Sequence, residues 1–275
     1  MSETTEDTGT LAQMLARPEV QLMHGKPVVF LPTAGGGYKM EVCESLLPEP
    51  ERIDTKIRAH DITGLVDYIN RFKNRQTAIY SGPRDNPFVQ ARIDDHWVSD
   101  STEEAQAVPG HNPSHGTHMA EFSCPLTLEW EAWTKADGKR MQQVDFAEHI
   151  ERNIEDIIKP DGATLLSMTL SFQDTGRAEF SSAVRLGDGR VQFKYIERDE
   201  GGDVAFPERI ELALPVFEGI KGRYPVNARV RYRIREGALH IWYELDRPDL
   251  VLRQAYEDLL AHVAEKTGIA VLRAS

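Results

Sequence analysis

Residues 227–246 read N-A-R-V-R-Y-R-I-R-E-G-A-L-H-I-W-Y-E-L-D, and this stretch indicates the kind of sheet that the chain builds. Successive side chains of a strand point to opposite faces. One face of the first segment therefore carries Arg229, Arg231, Arg233 and Arg235, and the other carries Val230, Tyr232 and Ile234. The second segment, from Ala238, alternates in the same way. With the turn residues Glu236-Gly237 between them, the two segments predict an antiparallel hairpin.

The register of this hairpin follows from its apolar residues, because only one alignment brings both apolar faces together. That alignment pairs Arg229 with Glu244, Arg231 with Trp242, and Arg233 with His240. On the polar face we expect a salt bridge and a cation–π contact, each contributing about 0.5–1 kcal/mol if exposed.

The four arginines and Trp242 are candidate partner-binding residues, and three interpretations remain open. The face could be solvated, with its arginines neutralised by acidic neighbours such as Glu197 or Glu211. It could dock an acidic partner, including a second copy of this chain. It could also stack single-stranded nucleic acid, although a net charge of −12 disfavours nucleic acid as a partner.

The hairpin belongs to a longer region in which apolar residues recur with period two after residue 162. We predict strands at residues 164–173, 178–186, 190–198, 209–214, 226–235 and 238–246. Turn signals separate several of them, which is typical of an antiparallel meander. Pro248 begins a closing helix that Thr267-Gly268 ends, and a last strand is expected just beyond it.

The N-terminal half alternates helices and strands. Strands are predicted at residues 28–31, 38–42, 76–81, 88–94 and 117–123, and helices at residues 62–72, 126–135 and 142–158. Asp61 is the expected cap of the first helix, and Trp130 and Trp133 are expected in the core or at a subunit contact. The fold class is therefore α+β, with a mixed α/β N-terminal half, an antiparallel β-meander and a C-terminal helix.

We expect a flexible N-terminal arm at residues 1–18, a mixed α/β region at 19–160 and the meander with its closing helix at 161–275. The last two regions either form separate domains or one continuous domain. Within the arm, Leu11, Met14 and Leu15 lie on one side of a short predicted helix. Such a helix is too short to be stable alone, so it should dock on its own domain or on a neighbour.

A second cluster of polar residues contains histidine and aspartate. His111, His115 and His118 lie in H-N-P-S-H-G-T-H, about 20 residues after Asp94, Asp95 and His96. Imidazole and carboxylate groups suit zinc, iron or manganese. However, Pro113 and Gly116 preclude the helical spacing of zinc proteases, and a structural role for these residues is favoured over a metal site.

Other features exclude several classes of protein. The run Gly35-Gly36-Gly37 lacks the G-K-[ST] of a phosphate-binding loop and predicts a turn. With only two cysteines, Cys43 and Cys124, a disulfide framework is excluded. We find neither a signal peptide nor a membrane span, which favours a cytoplasmic protein. No cofactor motif is present, so we expect no cofactor.

Four motifs in this order resemble the YfdQ-like family of phage and prophage proteins. They are D-I-T-G-L-V-D-Y-I-N-R-F at 61–72, H-M-A-E-F at 118–122, E-W-E-A-W at 129–133 and Q-V-D-F-A-E-H-I-E at 143–151. The resemblance implies a phage or prophage origin and a cytoplasmic accessory role, and it supplies no catalytic residues.

The leading hypothesis is a non-enzymatic protein that self-associates into a homo-oligomer larger than a dimer. The alternatives are a metal-dependent enzyme of phage nucleotide or nucleic-acid metabolism, built on the His/Asp cluster, and a single-stranded nucleic-acid binder.

Overall fold

A computed structural model describes residues 20–273, except for residues 24, 34–36, 48, 51, 97–113, 175–178 and 198–199. The chain divides into two compact units, residues 1–55 and 56–275. In the part of the chain so described, no helix has the length and apolar character needed to cross a membrane. The boundaries predicted at residues 18 and 160 stay predictions, and the predicted helix with Leu11, Met14 and Leu15 lies outside the described residues.

The first unit contains a three-stranded antiparallel sheet in the order β1-β2-β3. Its strands are β1 (Val20–Met23), β2 (Lys26–Pro32) and β3 (Tyr38–Val42), and a 3₁₀ turn follows at Glu44–Leu46. Val28 and Val29 of β2 are buried. The strands predicted at residues 28–31 and 38–42 are thereby confirmed.

The second unit begins with a five-stranded sheet. It contains β4 (Lys56–Arg58), β5 (Ala78–Ser81), β6 (Val89–Arg92), β7 (Met119–Phe122) and the C-terminal β16 (Val271–Arg273), in the order β16-β5-β6-β7-β4. Both edge strands pair in parallel with their neighbours, and the inner pairs are antiparallel. Helix α1 (Ile62–Phe72) buries Leu65 and Ile69. As predicted, Asp61 caps it by accepting a hydrogen bond from the Gly64 amide at 2.7 Å.

A second five-stranded sheet has the order β8-β15-β14-β13-β9. Its strands are β8 (Met141–Gln142), β9 (Ile157–Lys159), β13 (Arg209–Pro215), β14 (Arg223–Arg235) and β15 (Ala238–Leu245). In the chain, β8 lies between α2 (Leu128–Ala136) and α3 (Gln143–Arg152), and β15 is followed by α5 (Pro248–Thr267). One cluster of buried side chains extends from Ile62 of α1 to Val263 of α5, so both sheets share a core.

The helix predicted at residues 142–158 is shorter than expected. It ends at Arg152, and a 3₁₀ turn at Ile154–Asp156 leads into β9. The carboxylate of Asp156, which is 5% exposed, accepts a hydrogen bond from the Trp133 indole at 2.9 Å. The hydrogen bond to Trp133 therefore fixes the end of this segment, and helical periodicity in the sequence does not reveal such a contact.

The strand predicted at residues 164–173 is wrong, because this segment is helix α4 (Gly162–Asp174). Asp161 accepts hydrogen bonds from the backbone amide and the hydroxyl of Thr164 at 3.1 and 2.6 Å, which is an N-terminal capping pattern. Leu165 is fully buried and Met168 packs against the core at helical spacing. The apparent alternation came from exposed leucines such as Leu166 and Leu170.

The remaining strands form a three-stranded antiparallel meander. They are β10 (Glu179–Arg185), β11 (Arg190–Glu197) and β12 (Glu200–Pro207). Sequence periodicity does not predict β12, because its first residues, E-G-G-D at 200–203, are typical of a turn. Gly202 lies directly opposite Tyr195, and a Cβ at this position would come within 2.5 Å of the tyrosine ring. The glycine therefore gives room to an aromatic residue on the neighbouring strand.

The hairpin predicted within residues 227–246 forms as expected. Strand β14 pairs with β15 in the expected register, from Arg229 opposite Glu244 to Arg233 opposite His240. Glu236 and Gly237 make the two-residue turn, with φ of +53° and +78°. Positive φ at both central residues matches the right-handed twist of the strands. The described residues hold five α-helices and 16 strands, so the predicted α+β class is confirmed.

Candidate functional site: an arginine-rich sheet face

The outward face of the sheet formed by β13, β14 and β15 gathers cationic side chains. We call it the arginine face and define it by Arg140, Arg209, Arg229, Arg231, Arg233 and Arg235, with the rings of His240 and Trp242 between them. Strand pairing builds it, since Arg209 of β13 lies directly opposite Arg229 of β14. Arg140, just before β8, places its guanidinium 5.2 Å from the centre of the Trp242 ring.

The predicted salt bridge and cation–π contact both exist, but with different partners. Glu244 accepts a hydrogen bond from Nε of Arg231 at 2.9 Å, rather than from Arg229 opposite it. The Arg231 guanidinium holds the pKa of the Glu244 carboxyl below its usual range. Trp242 is covered by Arg140 rather than by Arg231. Side chains of a sheet reach diagonal neighbours as well as opposite ones, which explains the contact of Arg231 with Glu244. Arg140 approaches Trp242 from the segment before β8, which pairs with the other edge of β15.

Among the described residues, Glu244 offsets part of the positive charge of the arginine face, since its pKa is lowered by Arg231 and, to a smaller extent, by the charge of Arg229. Arg235 forms a salt bridge with its neighbour Glu236 at 3.5 Å, where both side chains are strongly exposed. Among the residues that the structure describes, Arg209, Arg229 and Arg233 form no salt bridge. Glu211, one of the expected neutralising acids, pairs with Lys159 instead, at 3.1 Å.

This arrangement carries a cost for the fold. Like charges directly opposite each other destabilise a sheet, and Arg209 and Arg229 occupy such a pair. An anionic partner would relieve that repulsion.

A rigid apolar layer lies behind the face. Val230, Ile241 and Tyr243 point inward and are buried. The Tyr243 hydroxyl donates to the Trp133 carbonyl at 2.7 Å and lies 3.2 Å from Nε2 of His149. Burial raises the pKa of Tyr243 and lowers that of His149. The predicted core position of Trp130 and Trp133 is confirmed, since they are 3% and 0% exposed.

Arg223 also lies on β14 but serves the fold. It forms a salt bridge with the buried Asp156 at 2.5 Å, and its Nε donates to the Ala213 carbonyl at 2.9 Å. Burial raises the pKa of Asp156, while the indole of Trp133 and the charge of Arg223 act in the opposite direction. Arg223 is therefore left out of the arginine face.

The structure brings part of the His/Asp cluster together, but its polar groups are used within the fold. Nε2 of His118 lies 2.8 Å from the Tyr68 hydroxyl. The Asp94 carboxylate accepts the amides of Thr117 and His118 at 3.1 and 2.9 Å. Burial is the main reason why the pKa of His118 is lowered.

Asp95 and His96 are occupied in the same way. Asp95 accepts hydrogen bonds from the Tyr80 hydroxyl at 2.5 Å and from the His96 amide at 2.8 Å. Nδ1 of His96 accepts the Ser114 amide at 3.0 Å. His115 also interacts within the fold, and His111 lies outside the described residues. Within the described ranges, no group of three or more His, Cys, Asp or Glu side chains is placed to hold a metal ion.

The sequence pattern does not predict two members of the arginine face, Arg209 and Arg140. Arg209 was placed at the start of a predicted strand, but its position opposite Arg229 depends on the pairing of β13 with β14. Arg140 precedes a two-residue strand that sequence periodicity cannot detect. Of the cysteines, Cys124 is buried, and burial raises the pKa of its thiol to about 12.

Taken together, the fold and this face define an α+β protein with an exposed cationic and aromatic sheet surface. The chain belongs to the family described as uncharacterized conserved protein (DUF2303), whose model matches residues 1–274. Neither the comparison with curated proteins nor that with solved structures gives a match.

Proposed function

We propose that the chain is a non-enzymatic, cytoplasmic accessory protein of a phage or prophage, and that it self-associates through the arginine face. The observation that supports this most strongly is that Arg209 and Arg233 form no salt bridge among the described residues, on a chain whose net charge is −12. Surfaces of opposite sign attract and orient each other during association.

The partner that fits best is the acidic surface of a second copy. A basic face that meets an acidic surface elsewhere on the next molecule makes a head-to-tail contact, which continues into a ring or a filament. We therefore expect a homo-oligomer larger than a dimer. The resemblance to phage and prophage proteins supports the proposed origin.

Light scattering on charge-reversed variants tests this proposal. Arg229→Glu with Arg233→Glu should reduce the mass toward that of the 31.0 kDa chain. The matched control is Arg84→Glu with Arg253→Glu, which reverses two exposed arginines outside the face and should leave the mass unchanged. A wild-type protein that is monomeric, or an equal loss in both double variants, would contradict the proposal.

The N-terminal arm is proposed as a second contact, through Leu11, Met14 and Leu15. Each apolar side chain contributes about 1.5–3 kcal/mol when a neighbour covers it fully. Light scattering on a chain lacking residues 1–17 distinguishes the two contacts. If the mass of the assembly falls on truncation but not on charge reversal, the arm alone holds the assembly together.

Single-stranded nucleic acid is the second candidate partner, favoured by one observation. Trp242 and His240 lie among the arginines, half-buried and on the same face. Bases stack on such rings while guanidinium groups meet phosphates. Fluorescence anisotropy with a labelled oligothymidine should show only weak binding that salt abolishes. Tight binding at physiological salt, lost in Arg231→Glu with Arg233→Glu, would reverse the order of the two candidates.

A further inference from the structure

A cavity of about 430 Å³ in the second unit lies apart from the arginine face. Three segments that are distant in sequence line it, namely the start of α1, the loop of residues 219–222 and the middle of α5. Concave sites of this size, with an apolar floor and a few polar groups at the rim, are typical of small-molecule binding.

The shape of this cavity is fixed by close packing. Gly219 has φ of +76°, and a Cβ there would lie 3.0 Å from Cβ of Asp61. Asp61 is itself held in place as the cap of α1. The loop thus rests directly on a fixed part of the helix start, so the cavity exists without a conformational change.

The floor of the cavity is apolar. Ile62 and Leu259, which are 3% and 1% exposed, contribute to it from α1 and α5. Ile220 of the loop is partly buried and packs against the same core. The apolar part of a ligand that enters the cavity would therefore be removed from water.

The rim of the cavity carries the cationic side chain of Lys221. In the described part of the chain, the exposed Lys221 forms no salt bridge. Asp258 is already engaged, since its two oxygens accept from the Tyr224 hydroxyl at 2.9 Å and from the Gln254 amide at 2.7 Å. Burial, followed by the contact with Asp258, raises the pKa of Tyr224 to about 12, so this hydroxyl remains a donor. His262, one turn beyond Asp258, adds a second nitrogen at the rim.

We propose that this cavity binds a small carboxylic acid with an apolar body, the carboxylate at Lys221 and the body on Ile62 and Leu259. A single negative charge matches the exposed Lys221. A phosphate dianion fits less well, because Lys221 offsets only one of its two charges and the Asp258 carboxylate repels a dianion more strongly than a monoanion. The proposal does not depend on the arginine face or on self-association.

Nuclear magnetic resonance titrations of the full chain with hexanoate, hexanol and inorganic phosphate test the proposal. Hexanoate should bind, hexanol should bind more weakly, and phosphate should give no saturable response. Lys221→Gln should weaken hexanoate binding about tenfold, the effect of losing one charge-assisted hydrogen bond. The control Lys194→Gln, at an exposed position on β11, should bind like the wild type.

A second variant, Ile220→Trp, should abolish binding by filling the cavity, and thermal unfolding establishes that each variant is folded. Hexanoate binding that is equal in the wild type, Lys221→Gln and Ile220→Trp would overturn the site. Binding of phosphate without hexanoate would overturn the ligand class, and absence of any hexanoate response would overturn both.

Discussion

The arginine face and the surroundings of His118 are both rich in polar side chains, but the fold uses them in opposite ways. Around His118, the ring contacts the Tyr68 hydroxyl at 2.8 Å, and Asp94 accepts two backbone amides. On the arginine face, Arg231 and, more weakly, Arg229 interact with Glu244 across the hairpin, whereas Arg209 and Arg233 have no acidic partner among the described residues. Polar groups that are hydrogen-bonded within the fold contribute to stability, whereas charges without a salt bridge remain available to a partner.

The largest effect is expected at His118. His118→Ala removes a ring that is 5% exposed, leaves the Tyr68 hydroxyl without its partner and removes the edge contact with Phe72. We expect the free energy of unfolding in urea to fall by about 2–3 kcal/mol. Tyr68→Phe, which removes only the hydroxyl, should cost less. A stability equal to that of the wild type would show that the cluster is not structural.

The pH dependence of stability should reflect the same burial. The pKa values of His118 and His149 are both lowered in the folded state, mainly by burial. The unfolded chain therefore binds more protons once the pH falls below the ordinary histidine pKa of about 6.5. Stability should be full above that pH and decrease as the pH falls toward the lowered values.

Urea unfolding from pH 7.5 to 5.5 at constant ionic strength measures this loss. His118→Asn, which cannot titrate, should show a smaller loss than the wild type. An equal loss in both proteins would mean that His118 does not contribute.

On the arginine face, substitutions should hardly change stability. Arg233→Ala should alter the free energy of unfolding by less than about 0.5 kcal/mol. Arg229→Ala should be neutral or slightly stabilising, because it relieves the repulsion with Arg209 opposite. Arg231→Ala should cost about 0.2–1 kcal/mol through its exposed salt bridge with Glu244. A loss of 2 kcal/mol or more (roughly the effect of a buried residue) at Arg229 or Arg233 would assign the face to folding.

No change is expected on treatment with a chelator. The groups around His118 are occupied within the fold, so removing metal should leave the unfolding midpoint unaltered. Elemental analysis of protein purified without chelator should give well below one transition metal per chain. Stoichiometric zinc or manganese, lost in His115→Ala with His118→Ala, would revive the metal-dependent enzyme.

The sequence predicted the elements whose side-chain period was unambiguous. Strands β14 and β15 alternate over their whole length, and α1 has both a capping aspartate and a helical stripe, so these elements and their register were correct. Helix α4 was mistaken for a strand because exposed leucines added a false alternation. Strand β12 was missed because a glycine that accommodates Tyr195 resembles a turn residue.

The candidate site was predictable in position but not in detail. Alternation placed four arginines on one face, whereas Arg209 and Arg140 join it through strand pairing and tertiary contact. Sequence spacing pairs Glu244 with Arg229. The salt bridge with Arg231 depends on side-chain conformation, which sequence spacing does not predict. The cavity beside Lys221 requires three distant segments to meet.

Sedimentation of the wild-type chain at two salt concentrations tests whether the arginine face drives self-association. Exposed charges interact over roughly 30 Å at about 0.01 M salt and over about 3 Å at 1 M. We predict an assembly larger than a dimer at low salt that dissociates toward the 31.0 kDa chain at high salt. A mass of one chain at both concentrations, or an assembly that high salt leaves intact, would contradict the account.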